Sequence, residues 1–233
     1  MSRIFRWAGL LAVLFAGVAH AAEEPQVPDT LKQRIASCTS CHGEHGEGGD
    51  NGFFPRLAGK PAGYLMRQMQ DFRDGLRHYA LMEYTMQPLS DDYMREIAGY
   101  FAAQDVPFTA SKPARVSPAA MKRGEQLALH GDEAHKVPAC VSCHGERLTG
   151  VQPDIPGLVG LPYDYISAQL GSWRTHTRST VAPDCMATVT SRLSDSDISA
   201  VSAWLSSQDV PTDHSPQAAG SIKLPMQCGS VGG

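Results

Sequence analysis

The sequence lacks the features that mark several large classes of protein. No apolar run of about 18 residues or more follows the N-terminal segment, which excludes a polytopic membrane protein. There is no run of Lys or Arg and the formal net charge is −4, so nothing favours nucleic acid as a partner. Charged residues make up only 19% of the 233 residues and hydrophobic residues 42%, which is typical of a chain that forms a core. Six cysteines are too few for a disulfide scaffold, yet four of them are patterned.

Residues 1–21 have the pattern of an export signal. Arg3 and Arg6 give a positive start, residues 7–18 are mostly apolar, and a small-x-small cleavage pattern ends at Ala21. The apolar stretch is shorter than the roughly 20 residues that span a membrane, although an uncleaved anchor remains the alternative. We therefore expect cleavage and export to the periplasm, with room for peripheral association with the inner membrane. Unpaired thiols tend to pair in such an oxidising compartment.

The mature chain contains an internal sequence repeat. Three segments of the first half recur in the second half in the same order and at nearly the same offset. They are residues 38–44 and 140–146 (offset 102), residues 54–59 and 155–160 (offset 101), and residues 89–91 and 193–195 (offset 104). The common order indicates a duplicated domain with short insertions.

The repeat predicts two small domains. We expect an N-terminal domain over residues 22–107, a linker over 108–117, a C-terminal domain over 118–211 and a tail over 212–233. Residues 108–119 contain Pro113 and Pro118 together with Ser, Ala, Lys and Arg, which is the composition of a linker. Each domain is small for a hydrophobic core alone, so we expect something besides apolar packing to stabilise it.

The predicted secondary structure is helical. Leu65, Met69 and Phe72 are spaced to lie on one face of a helix. Two serines followed by aspartates predict helix starts, and two prolines are expected to stop those helices: Ser90, Ser194, Pro107 and Pro211. No alternating run of β-branched residues is long enough to nucleate a sheet. We therefore predict an all-α fold.

The pattern Cys-x-x-Cys-His occurs once in each half and is the attachment motif of a c-type haem. We expect two covalent haems, with His42 and His144 as the proximal iron ligands. The thiols that would add to the vinyl groups are Cys38, Cys41, Cys140 and Cys143. A thioredoxin-like redox pair and a zinc site built from both cysteine pairs are the alternatives. Neither explains a histidine after both pairs.

The internal repeat also selects the sixth iron ligands. Met186 is the only methionine between the second motif and the last predicted helix, eight residues before Ser194. The same spacing before Ser90 gives Met82. Met82 and Met186 are therefore the predicted axial ligands, and Met86 stays open as an alternative to Met82.

Over nearly the whole mature chain the sequence resembles the cytochrome c4 family of dihaem class I cytochromes c. The shared features are both haem motifs, Phe-Pro-x-Leu-x-Gly, Tyr-x-x-x-Gln, and a late Met followed by Leu-Ser-Asp. The resemblance implies two tandem class I domains, each wrapped around a covalent haem and related by a pseudo-twofold axis, with Met82 and Met186 as ligands. It also favours Pro55 and Pro156 as the residues whose carbonyls fix the proximal histidine rings.

Two features depart from the family pattern. Lys32 stands where the N-terminal helix would carry a glycine equivalent to Gly124, so we expect looser helix packing in the first half. Cys185 and Cys228 belong to no haem motif, and export favours a disulfide between them over two free thiols or a bond to another chain. Such a bond would tie the tail across the methionine side of the second haem.

Full His/Met ligation leaves no open position on either iron, which predicts an electron carrier rather than an enzyme. The resemblance implies transfer from a quinol-oxidising complex or a dehydrogenase to a terminal oxidase. One alternative is a dihaem enzyme of the cytochrome c peroxidase or thiosulfate dehydrogenase type. That enzyme would need a labile site, for which the candidate ligands are His45, His78, His130, His135 and His176. A second alternative is a dedicated cytochrome subunit of a dehydrogenase complex, which the distinctive tail favours.

Overall fold

The computed structural model describes residues 29–49, 52–109, 112 and 114–232, so the predicted export signal lies outside the described residues. The helices are α1 (Leu31–Arg34), α2 (Ala36–His42), α3 (Ala62–Arg73), α4 (Ala80–Met86), α5 (Asp91–Ala102), α6 (Pro118–Leu129), α7 (Val141–His144), α8 (Tyr163–Arg174), α9 (Cys185–Thr190) and α10 (Asp195–Ser206). Two short antiparallel strands, β1 (Gly150–Val151) and β2 (Ile155–Pro156), lie between α7 and α8. In the described part of the chain, no helix is long and apolar enough to span a membrane.

The predicted helix faces and starts are confirmed. Leu65, Met69 and Phe72 all lie on the buried side of α3. The Ser90 side chain accepts a hydrogen bond from a backbone N–H in the first turn of α5. Ser194 does the same for α10 and completes a capping box with Asp197. These caps satisfy backbone donors that the first turn of a helix leaves without partners.

The ends of the same two helices differ from the prediction. Both helices end five residues before the prolines at positions 107 and 211. Just beyond each end, a glutamine amide donates to a carbonyl one turn earlier, from Gln104 to Tyr100 at 3.0 Å and from Gln208 to Trp204 at 2.9 Å. The prolines therefore follow the helix ends and do not set them.

Each half has its own hydrophobic core. In the first half α3 packs against α4 and α5, and in the second half α8 packs against α9 and α10. In the second half α6 also packs closely on α10, because Gly124 lets the backbones approach. A Cβ at Gly124 would collide with the Ala200 carbonyl and the Trp204 side chain. The first half has two short helices here, broken at Ile35 and with Lys32 exposed.

The hairpin is the one described element that the all-α prediction misses. Each strand has only two residues and one contains Pro156, so no sequence alternation marks it. The C-terminal tail adds to this hairpin, because Gln217 N–H donates to the Gly150 carbonyl at 2.9 Å and the Gln217 carbonyl accepts from Gln152 N–H at 2.9 Å.

The two halves meet through equivalent segments, residues 76–78 and 177–179. The backbones of Arg77 and Arg178 face each other in an antiparallel bridge. Hydrogen bonds join His78 N–H to the Thr177 carbonyl at 2.8 Å, and Ser179 N–H to the Leu76 carbonyl at 2.6 Å. Because corresponding residues pair with each other, this contact has the twofold character that the family resemblance implies.

Candidate functional site

The described residues of each half line a cavity with mostly apolar walls, of about 510 Å³ in the first half and 170 Å³ in the second. The predicted site residues of each half line the cavity of that half. They are Cys38, Cys41, His42 and Met82 in the first, and Cys140, Cys143, His144 and Met186 in the second. The structure thus brings together residues that lie about 40 positions apart in sequence.

The two motif histidines are held in one orientation. His42 Nδ1 lies 2.8 Å from the Pro55 carbonyl oxygen, and His144 Nδ1 lies 2.8 Å from the Pro156 carbonyl oxygen. An N–H donated from Nδ1 leaves the lone pair on Nε2, the nitrogen that is free to bind a metal. Burial lowers the pKa of both imidazoles, which keeps them neutral and able to ligate.

The four motif cysteines are not in disulfides. In each pair the two residues are three positions apart on a helical turn, so their side chains lie on the same side of that turn. Burial raises the pKa of the Cys38 and Cys143 thiols and that of Cys140 to about 12. The free thiols of each pair line one cavity, where they are placed to add to the two vinyl groups of a single porphyrin.

The arrangement does not fit the zinc alternative. The Cys38–Cys41 pair lines one cavity and the Cys140–Cys143 pair lines the other, so the two pairs do not converge on one ion. Across the described residues, no group of three or more His, Cys, Asp or Glu side chains is placed to hold a metal ion. A haem needs only the histidine and one further ligand from the protein.

Two of the methionines have equivalent positions in the two halves. Met82 on α4 and Met186 on α9 are half-buried and line their cavities. Met86 also reaches the first cavity, but it is only 2% exposed and packs in the hydrophobic core. At the offset of 104 its counterpart is Thr190, which is fully buried and cannot ligate iron through a thioether. This correspondence favours Met82 as the axial ligand.

The five histidines considered as ligands for an enzyme are all exposed. Only His78 is among the described residues that line a cavity, at the edge of the first one. Its Nδ1 lies 3.2 Å from a carboxylate oxygen of Glu83. The exposed positions of these side chains give no support to a histidine as the distal ligand.

The C-terminal tail covers the second cavity. We call residues 212–232 the strap. The structure pairs Cys185 with Cys228, with their Cα atoms 5.1 Å apart. Around this bond the strap alternates between half-buried and exposed residues, and Leu224, Met226 and Cys228 line the cavity. The N–H of Gly229 donates to the Pro183 carbonyl at 2.9 Å, which holds the strap on the segment before Met186.

Sequence reasoning missed the side chains between the two cavities. Lys60, Tyr64, Gln68 and Arg178 line both cavities, together with Tyr165 and Gln169. Tyr64 and Tyr165, like Gln68 and Gln169, are related by the offset of 101, which was visible in the sequence. Their position at a shared wall was not visible, because it depends on how the halves dock.

Comparison with known proteins agrees with this geometry. The cytochrome c family model matches residues 32–106 and 121–209. The chain is 37% identical to the thiosulfate dehydrogenase electron acceptor of Thiomonas intermedia, over 94% of this chain and 96% of that protein. It is 33% identical to cytochrome c4 of Pseudomonas aeruginosa, over 84% of this chain and 94% of that protein.

A solved structure has the same fold. The crystal structure of reduced recombinant cytochrome c4 from Pseudomonas stutzeri superposes with a TM-score of 0.64 at 31% identity, and the match covers 76% of this chain and 95% of that chain. Two matched regions, each with a complete attachment motif and its own cavity, account for two haems. The chain belongs to the cytochrome c family, as a dihaem cytochrome of the c4 type with two covalently attached haems.

Proposed function

We propose that the protein is a periplasmic electron carrier that accepts electrons from a dehydrogenase and passes them to a terminal oxidase. One observation carries this proposal. Each cavity is lined by a histidine held in one orientation and by a methionine from a different helix. With a haem bound, a histidine and a methionine would both ligate its iron and would leave no position for a substrate. We assign His42 and Met82 to the first haem and His144 and Met186 to the second.

A bound haem supplies an iron that gains or loses one electron. The residues of the chain limit the structural change that accompanies this electron transfer. The Pro55 and Pro156 carbonyls hold the histidine rings in place, and the helices α4 and α9 carry the methionines. The mostly apolar walls limit the access of water to the ligands. A site whose ligands and surroundings move little exchanges electrons with little reorganisation.

The shared wall between the cavities supports electron exchange between the halves. Six side chains line both cavities, so each cavity opens onto the same interface. An electron that enters one half therefore has a short path through the protein to the other half. We propose that the two predicted domains, residues 22–107 and 118–211, act as one two-electron unit.

The first candidate for the donor is a thiosulfate dehydrogenase. Two relatives carry the name thiosulfate dehydrogenase electron acceptor, at 37% and 34% identity. The cytochrome c4 relatives, at 31–33% identity, favour a general respiratory carrier as the second candidate, with a quinol-oxidising complex as its donor. The predicted export signal, with cleavage after Ala21, supports a periplasmic location for either role.

The test uses the purified holoprotein with both haems oxidised. Thiosulfate alone is expected to leave both haems oxidised, whereas thiosulfate with a thiosulfate dehydrogenase catalytic subunit is expected to reduce both. Rapid reduction by thiosulfate alone, or rapid peroxide turnover, would show an enzyme and contradict the proposal. Reduction by a quinol-oxidising complex but not by the dehydrogenase would select the second candidate.

A further inference from the structure

Three exposed apolar side chains lie together at the mouth of the first cavity. Tyr79, Leu81 and Tyr84 are 41%, 51% and 79% exposed, and all three line that cavity from the start and the outer face of α4. A group of neighbouring apolar side chains left open to water marks a surface that contacts another protein or another segment. We call these three residues the α4 patch.

The internal duplication shows what covers the same position in the second half. At the offset of 104, Leu81 corresponds to Cys185, which is half-buried and bonded to Cys228 of the strap. Two positions before this cysteine, the Pro183 carbonyl accepts the N–H of Gly229 at 2.9 Å. In the second half the strap therefore occupies the surface that the α4 patch leaves exposed in the first half.

The strap binds there as an extended segment. Over residues 221–228 exposed and half-buried positions alternate, which is the period of an extended chain. Leu224, Met226 and Cys228 are half-buried and line the second cavity, whereas the residues between them are exposed. The surface thus accepts an apolar side chain from every second residue of the segment that lies on it.

Among the described residues, none takes the place of the strap in the first half. Residues 108–128, which correspond to the strap at the offset of 104, form the linker and most of α6, and α6 packs on α10. Phe108 directs the chain into the second half, because its ring centre lies 3.8 Å from the Arg56 guanidinium and its ring packs against Gly160. Residues 22–28 contain two glutamates and two prolines, with a valine as their only large apolar side chain, so their composition does not suit an apolar surface.

The α4 patch offers little charge to a partner. Glu83 is the only charged residue within residues 79–86. Its carboxylate accepts the N–H of Tyr79 at 2.9 Å and lies 3.2 Å from Nδ1 of His78. Because this carboxylate is engaged within its own segment, the contact that the patch provides is the burial of apolar area and not an ion pair.

We propose that the α4 patch binds the electron-donor protein, through an extended segment of that protein with apolar side chains at alternate positions. The inference rests on the proposed function, because it names the contact through which the donor reaches the carrier. Leu81 directly precedes Met82, so a donor on the patch lies at the methionine side of the first cavity. The strap blocks the corresponding approach in the second half. Electrons therefore enter through the N-terminal half and pass from it to the C-terminal half.

The test measures the second-order rate constant with which the donor reduces the oxidised holoprotein. The probe is a thiosulfate dehydrogenase catalytic subunit with thiosulfate, or a quinol-oxidising complex if that donor is the one selected. Leu81→Ser and Tyr84→Ser should each lower the rate constant roughly fivefold, and the double variant should lower it further, because apolar contact area is lost. Val181→Ser is the matched control and should leave the rate constant unchanged. Val181 is 38% exposed and is not among the described residues that line either cavity.

Two measurements separate docking from other effects of the substitutions. Hexaammineruthenium(II), a small reductant that needs no docking surface, should reduce all variants at the wild-type rate. Raising the ionic strength from about 0.05 M to about 0.5 M should change the rate constant with the donor by less than about threefold, because salt screens ion pairs and not apolar contacts.

Three outcomes would overturn the proposal. They are equal rate constants in the wild type and both patch variants, an equal loss in Val181→Ser, and a steeper fall of the rate constant with ionic strength. The proposed function fails separately, if neither donor reduces the wild type.

Hydroxyl-radical labelling of the wild type tests the occupant of the patch. Leu81 and Tyr84 should be oxidised in the free holoprotein and protected when the donor is added. Protection without the donor would show that residues 22–28 or a second copy of the chain covers the patch, and would contradict the proposal. Sedimentation of the free holoprotein distinguishes these two occupants, because only a second copy doubles the mass.

Discussion

At the scale of single residues, two methionines of α4 have different surroundings. Met82 is a candidate iron ligand, and Met86, four positions later, is a core side chain. Met82 and Met86 are one turn apart and both reach the first cavity. Met86 is buried among apolar neighbours, whereas Met82 is half-buried at the cavity wall, as Met186 is in the second half. The duplication distinguishes them because only Met82 has a methionine counterpart.

Replacing each methionine by alanine tests this assignment. Met82→Ala should remove one of the two methionine–iron signatures, the weak absorption near the red end of the oxidised spectrum, and lower the potential of that haem. Met86→Ala should keep both signatures and reduce the free energy of unfolding by about 2–5 kcal/mol, because it leaves a cavity in the core. Spectra and denaturant titrations of both holoproteins give the answer. If Met86→Ala loses the signature and Met82→Ala keeps it, the assignment is wrong.

The raised pKa of the buried Asp71 carboxyl predicts that the free energy of unfolding depends on pH. Burial raises its pKa from 3.8 to about 6, although Arg67, Arg77 and Arg178 oppose this rise. Between about pH 4 and pH 6 the folded protein then binds a proton that the unfolded chain has released, so stability falls as pH rises. Asp71→Asn should remove this loss and gain stability relative to wild type by up to about 3 kcal/mol at neutral pH. Urea unfolding of both holoproteins at several pH values checks it, and parallel stability curves would contradict it.

At the scale of elements, the strap is tied to the segment that carries Met186. The Cys185–Cys228 bond closes a loop of about 44 residues, worth about 3–4 kcal/mol in the chain-entropy model. Cys228→Ser should leave both haems attached but allow added imidazole or high pH to displace Met186 more easily. Gln227→Ser, at the neighbouring exposed position, is the matched control.

Two measurements decide the role of this bond. Mass spectrometry under non-reducing conditions should find Cys185 and Cys228 joined in the native protein. Alkylation of both thiols without reduction would exclude the disulfide. Imidazole titration of the variant then tests its function, and a displacement curve equal to that of wild type would show that the strap does not protect Met186.

The elements differ in how far the sequence predicts them. Helix α3 and the starts of α5 and α10 follow from local spacing and caps, which depend on residues within a few positions of one another. The β1–β2 hairpin and the path of the strap depend on contacts between distant segments, such as Gln217 with Gly150. Patterns over a few neighbouring residues therefore do not predict those contacts.

The same limit applies to the site. The motif cysteines and histidines are fixed by spacing alone, and the repeat selects the methionines. Arg77 and Arg178 lie at the repeat offset too, but their neighbours differ, with Leu and His around the first and Thr and Ser around the second. Only the docking of the two halves shows that these arginines face each other at the contact between the halves.

At the scale of the whole molecule, the duplicated halves are not equal. The strap covers the second cavity, whereas the first has exposed apolar side chains at its edge, with Leu81 51% and Tyr84 79% exposed. Water near a haem stabilises the more highly charged ferric form and lowers the potential. We therefore expect the C-terminal haem to have the higher potential and to be reduced first.

A potentiometric titration of the wild type should resolve two one-electron steps. Met82→Ala identifies which step belongs to which half, because it should move only the lower step strongly. A large fall of the upper step in Met82→Ala would show that the N-terminal haem has the higher potential. Met186→Ala is the reciprocal control and should move the upper step.

The strap also constrains the order in which the protein is assembled. Four cysteines line the second cavity, namely Cys140, Cys143, Cys185 and Cys228. An oxidising compartment offers these thiols several wrong pairings, and a closed strap stands across the space that the cofactor must enter. Attachment of the haem removes Cys140 and Cys143 from the pool of free thiols and leaves one correct partner for each remaining cysteine. We therefore expect maturation of the C-terminal half to attach the haem before the disulfide closes.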